Sequence, residues 1–150
     1  MCNGQRPLRG LSLGLNVGSE YLPKTVISIV DDDESIREAM TSLMKSLGFV
    51  ADAFHSGESF LRSDRRHGTA CLIADVRMPG MTGFELHSRL VASGKPIPTI
   101  LITAHPDETM RARALKAGVV GYLAKPFDED HLLACLRAAL EQREADDSGS

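Results

Sequence analysis

The chain has 150 residues, 43% of them apolar and 25% charged, with 17 basic against 20 acidic side chains and a net charge of −3. That allows one domain with a substantial core and little for a second, and it is the composition of a soluble globular protein rather than a disordered or fibrous one. The acidic balance argues against a face broad enough to hold a nucleic-acid duplex while leaving room for a local basic patch, and Cys2, Cys71 and Cys135, odd in number and without a C-x-x-C pair, frame neither a zinc site nor a disulfide scaffold.

Residues 1–23 are rich in Gly and polar side chains, show no sustained period, and are read as a flexible extension. Arg6 and Arg9 ahead of Leu11-Ser12-Leu13-Gly14-Leu15 resemble a signal peptide only faintly, because the apolar part is minimal, broken by glycine and followed by no convincing cleavage site. No apolar run approaches the roughly 18 residues of a membrane span, so no membrane is expected and a cytoplasmic location is. Thr25 to Val30 is a compact buried-strand signal. Ile36, Met40, Leu43 and Leu47 then form a helical stripe that should face a sheet, with Gly48 as the stop. Val50 to Phe54 reads as a second strand, and Ser56-Gly57-Glu58 as the capped start of a short helix through about Arg62. Ala70 to Ala74 is apolar without alternation, as expected of a strand covered on both faces, and runs into Asp75. A turn at Met78-Pro79-Gly80-Met81 leads to a helix over about 83–92. Pro96 and Pro98 then bar helix before the fourth strand at Thr99 to Ile102, with Thr103 at its end. Residues 107–117 form a helix ended by Gly118, Gly121 to Ala124 a fifth strand, and Asp128 to about Glu141 a last helix, after which an acidic tail over 143–150 is expected to be disordered. Cys71 and Cys135 read as small core residues, and His55, His67, His87 and His131, which share no ligand spacing, as surface histidines.

Strict alternation of strands and helices with short links predicts an α/β fold, a doubly wound parallel sheet with helices on both faces. Ligands of such sheets bind beyond the carboxyl ends of the strands. Asp31, Asp32 and Asp33 follow the first strand, Asp75 the third, Thr103 the fourth and Lys125 the fifth. Carboxylates gathered from separate strands repel one another unless a cation neutralises them, and an all-oxygen donor set points to Mg²⁺. A carboxylate, a hard cation, an amine and a hydroxyl suit phosphoryl transfer onto an aspartate: Asp75 supplies the nucleophilic oxygen, while Lys125 and Thr103 engage other phosphoryl oxygens. Asp33 and Glu34 are better read as the acidic start of a helix than as ligands.

The segments Ile29-Val30-Asp31-Asp32-Asp33-Glu34, Ile73 through Gly83, Leu101-Ile102-Thr103-Ala104 and Tyr122-Leu123-Ala124-Lys125-Pro126-Phe127 resemble the signature of response-regulator receiver domains, over about residues 24–142. The resemblance implies a flavodoxin-like three-layer sandwich with strand order 2-1-3-4-5. It implies that Asp32 ligates Mg²⁺ directly and Asp31 through water, that Asp75 is the phosphoacceptor, and that Arg77 lends its backbone carbonyl to the metal. Thr103 and Lys125 would bind the phosphoryl group, with a cis bond between Lys125 and Pro126. Thr103 and Tyr122 would form a switch that biases the face made by the fourth helix, fifth strand and fifth helix. Implied partners are a sensor histidine kinase or phosphotransfer protein as donor, a downstream protein target, and a second copy through that same face. Arg77 and His105 occupy positions that tune phosphoryl lifetime in this family.

The few residues after Lys125 leave no room for a helix-turn-helix module, which favours a stand-alone receiver without direct nucleic-acid contact; a truncated receiver of a transcription regulator, similar in motif style to nitrogen-fixation-type regulators, is the alternative. A rival of another class is a phosphatase with an aspartyl-phosphate intermediate. Such enzymes carry a second carboxylate two residues beyond the nucleophile, where this chain has Arg77. A degenerate receiver serving only dimerisation is disfavoured by the intact acceptor set.

Overall fold

The structure, a computed structural model, describes residues 25–149, with only the backbone of 144–149. The extension expected over 1–23 lies outside the described residues. Five strands, β1 (Val26–Val30), β2 (Val50–Phe54), β3 (Thr69–Asp75), β4 (Thr99–Thr103) and β5 (Gly121–Ala124), alternate with α1 (Glu34–Ser46), α2 (Gly57–Arg62), α3 (Gly83–Ala92), α4 (Glu108–Lys116) and α5 (Glu129–Gly149). All strand pairs are parallel and their order is β2-β1-β3-β4-β5, the doubly wound sandwich that the alternation predicts.

The central strand β3 is buried along its whole length, which explains its unbroken apolar run. Its side chains divide by parity. Cys71 and Ile73 join Ile27, Ile29, Ile100 and Ile102 under Met40 and Met44 of α1 and Leu132 and Leu136 of α5. Leu72 and Ala74 join Val30, Leu101 and Tyr122 under Phe60 of α2, Leu86 and Leu90 of α3 and Ala114 of α4. Helices therefore cover both faces. In α1 the deepest side chains are Met40 and Met44, with Ile36, Leu43 and Leu47 at the margin of the stripe. Gly48, at φ 93, takes the left-handed conformation that ends the helix.

Three local features depart from the sequence expectation. A short 3-10 helix, Asp64–Gly68, precedes β3. Helix α5 continues through Gly149, so the segment 143–150 expected to be disordered is helical up to that residue; Glu141 to Ala145 are good helix formers, and neither Gly nor Pro interrupts before Gly149. His87, expected on the surface, is buried, because Gly83, Leu86, His87 and Leu90 share the face that α3 turns to the sheet. Among the described residues, no helix is long and apolar enough to cross a membrane.

Candidate functional site

The carboxyl ends of β1, β3 and β5 bring Asp31, Asp32, Asp75 and Lys125 to one place, and β4, between β3 and β5, ends in Thr103. The turn after β1 is fixed first. Asp33 caps α1, its carboxylate accepting from the N–H groups of Ser35 at 2.8 Å and Ile36 at 3.3 Å, while Asp31 Oδ1 accepts from Asp33 N–H at 2.9 Å. The Arg37 guanidinium donates to the Asp31 carbonyl at 2.7 Å. Asp31 is thus buried and pinned, whereas its neighbour Asp32 is exposed.

Asp75, at the end of β3, accepts from Arg77 N–H at its Oδ1 (3.1 Å) and from Lys125 Nζ at its Oδ2 (2.9 Å). Lys125 also donates to Asp31 Oδ2 at 3.2 Å, so one ammonium bridges two carboxylates. Burial works against the charge on Lys125, but its bonds and proximity to Asp75 and Asp31 outweigh that and hold its pKa above the ordinary lysine value. Burial, with the Asp75 charge adding to it, pushes Asp31 above the usual carboxylate range, against the downward pull of the Asp33 N–H and Lys125. Carboxylate oxygens of Asp31, Asp32 and Asp75 all lie within 4.8 Å of one another. Three carboxylates against one ammonium leave an excess of negative charge, and the donors are all hard oxygens, so the set fits Mg²⁺.

Thr103 ends β4 and is buried; its hydroxyl oxygen accepts from His105 N–H at 3.0 Å, leaving the O–H as a donor. The register pairs Asp75 with Ile102 and Thr103 with Ala124, which sets the hydroxyl in the row between the Asp75 and Lys125 strands. The Lys125–Pro126 peptide is cis. Tyr122 is buried in β5, and among the described residues its hydroxyl has no hydrogen-bond partner. The Arg77 and His105 side chains are exposed.

Two contributors were not singled out from sequence. Arg37 anchors the Asp31 turn, and nothing in the local pattern of α1 signals it. Gly83 opens α3 against the acceptor strand: a Cβ there would stand 2.6 Å from the Asp75 carbonyl oxygen and 2.9 Å from Leu101, and its N–H donates to the Val76 carbonyl at 3.1 Å. Its place after the Pro79-Gly80 turn was legible, but its close approach to the acceptor strand was not.

Residues 27–137 match the model of the response regulator receiver domain. The chain is 44% identical over 117 residues to the response regulator protein TodT of Pseudomonas putida, covering 78% of this chain and 52% of that one. Among solved structures, the response regulator StyR superposes with a TM-score of 0.75 at 41% identity, over 84% of this chain and 66% of StyR. A structure named FixJ-N does so with a TM-score of 0.70 at 33% identity, over 79% and 94%. The chain spans about half the length of the curated relatives it matches. With the strand order, the acidic cluster and the bridging lysine falling inside the matched span, the chain belongs to the response-regulator receiver family.

Proposed function

We propose that this domain takes a phosphoryl group from a phosphohistidine donor, a sensor kinase or phosphotransfer protein, onto the carboxylate of Asp75. The observation that carries the reading is the Lys125 ammonium held between Asp75 and Asp31, beside an acidic cluster that only a further cation would neutralise. In the transfer, a carboxylate oxygen of Asp75 forms the O–P bond as the P–N bond to the donor imidazole breaks, the electron pair leaving with that nitrogen. No general base is required, since the nucleophile is already an anion. Lys125 stays protonated at neutral pH and holds one phosphoryl oxygen, and the Thr103 O–H donates to another. Asp32 and Asp75, with Asp31 through water and the Arg77 carbonyl, would hold Mg²⁺, which supplies charge neutralisation at the phosphoryl oxygens.

The output is a change of surface. Drawing Thr103 toward the phosphoryl group alters the space beside β5, and Tyr122, whose buried hydroxyl lacks a partner among the described residues, gains by turning to a new position. The face formed by α4, β5 and α5 is then read by a downstream protein or by a second copy of the chain. Stoichiometry separates this reading from that of a phosphatase. Incubated with acetyl phosphate and Mg²⁺, the protein is expected to gain one slowly lost phosphoryl group per chain, whereas rapid multiple turnover would favour the hydrolase.

A further inference from the structure

The opposite pole of the sheet, at the amino ends of β3 and β4, carries a second polar site that phosphorylation does not use. A cavity of about 270 Å³ opens there between the 3-10 helix before β3, the segment before β4 and the far part of α5. Arg66, His67, Lys95 and Arg143 line it together with Leu90 and Ile97, and among the described residues no carboxylate does. Arg66 is half-buried, and among the described residues none of these cations makes an ion pair. In a chain whose net charge is −3, three permanently charged basic side chains line one concave site. Like charges gathered around one concave surface repel one another unless an anion accompanies them, and guanidinium forks match the oxygens of a phosphoryl group.

The wall is fixed rather than incidental. Thr69, the first residue of β3, bonds Ser28 of β1 at 2.7 Å and donates to the Arg65 carbonyl at 3.0 Å, tying the 3-10 helix to the sheet. On the other side, Leu72 N–H donates to the Pro98 carbonyl at 2.9 Å, and the Thr99 hydroxyl to the Ile97 carbonyl at 2.8 Å. The mouth is therefore held by backbone and buried hydroxyls, with the basic side chains in its lining.

We propose that this cavity binds a small, multiply charged phosphoryl oxyanion of the size of a diphosphate or a sugar phosphate, independently of Asp75. The test is titration of the metal-free protein with sodium pyrophosphate at low ionic strength, followed calorimetrically and by backbone amide shifts. Saturable binding of one pyrophosphate per chain is expected, with shifts concentrated at 66–69, 95–98 and 143. Lys95→Gln and Arg143→Gln, both exposed and harmless to the fold, should each weaken it about tenfold, as for loss of one charge-assisted hydrogen bond. Arg111→Gln, a control at the opposite, carboxyl pole of the sheet, and Asp75→Asn should leave it unchanged. Four results would overturn the proposal: no saturation by about 10 mM, a range far weaker than the roughly micromolar to millimolar span of specific small-ligand sites; equal weakening by the remote control; loss on Asp75→Asn, which would put the anion at the phosphorylation site; or binding of anionic phospholipid vesicles or RNA without binding of pyrophosphate.

Discussion

At the residue scale the site is a problem of charge. Asp31 and Asp75 share Lys125, so replacing the lysine strands two carboxylates in a largely buried place. Lys125→Met is expected to lower the metal-free stability by about 1–3 kcal/mol, below the figure for fully buried pairs because the groups are partly solvated. Added Mg²⁺ should restore much of the loss, and denaturant unfolding with and without the ion measures both. Asp31 behaves in the opposite sense. Its native pKa is raised, so its stabilising contribution is present below the ordinary carboxylate value and is lost as pH rises through the native one. At neutral pH, Asp31→Asn should therefore cost the metal-free protein little or nothing while abolishing stabilisation by Mg²⁺. His87 supplies a separate pH response: burial holds its pKa below the imidazole norm, so the unfolded chain takes up a proton that the native state refuses. Stability should fall as pH drops below about 6.5, and His87→Leu should flatten that decline between about pH 7.5 and 5.5. An equal decline in both proteins would contradict the assignment.

At the scale of elements, legibility followed the strength of the period. The β3 run, the glycine stops and the polar residue after each strand were visible because each reports a local requirement, whether two-sided burial, a left-handed turn or a ligand at a strand end. His87 was misplaced because its polarity outweighed its position, although the 83-86-87-90 spacing assigns it to the buried face. The 3-10 helix carries no sustained period, and the end of α5 was obscured by an acidic composition that is still compatible with helix. The start of α3 holds a capping box in which Thr82 and Glu85 bond one another's backbone N–H groups at 2.8 and 3.1 Å. Thr82→Ala should cost about 1 kcal/mol. Gly83→Ala should cost more, because its methyl would meet the Asp75 carbonyl of the acceptor strand rather than solvent. Thermal unfolding orders the two variants, and a smaller effect for Gly83→Ala would argue against that close approach.

At the scale of the whole molecule, the parallel sheet separates two poles. Its carboxyl ends collect negative charge around a lysine, and its amino ends collect positive charge around a cavity. The fold class and the side chains that meet at the first pole were readable in order along the chain, since four of the five strand ends each contribute one short motif. The second pole was not, because Arg66, Lys95 and Arg143 are scattered in sequence and meet only through topology. Phosphorylation at the first pole is tested most directly by mapping the phosphoryl group. After reaction with acetyl phosphate and Mg²⁺, intact-mass and peptide analysis should find a single phosphoryl group on Asp75 and none in Asp75→Asn. Full labelling of that variant, or a label mapped to another residue, would contradict the account.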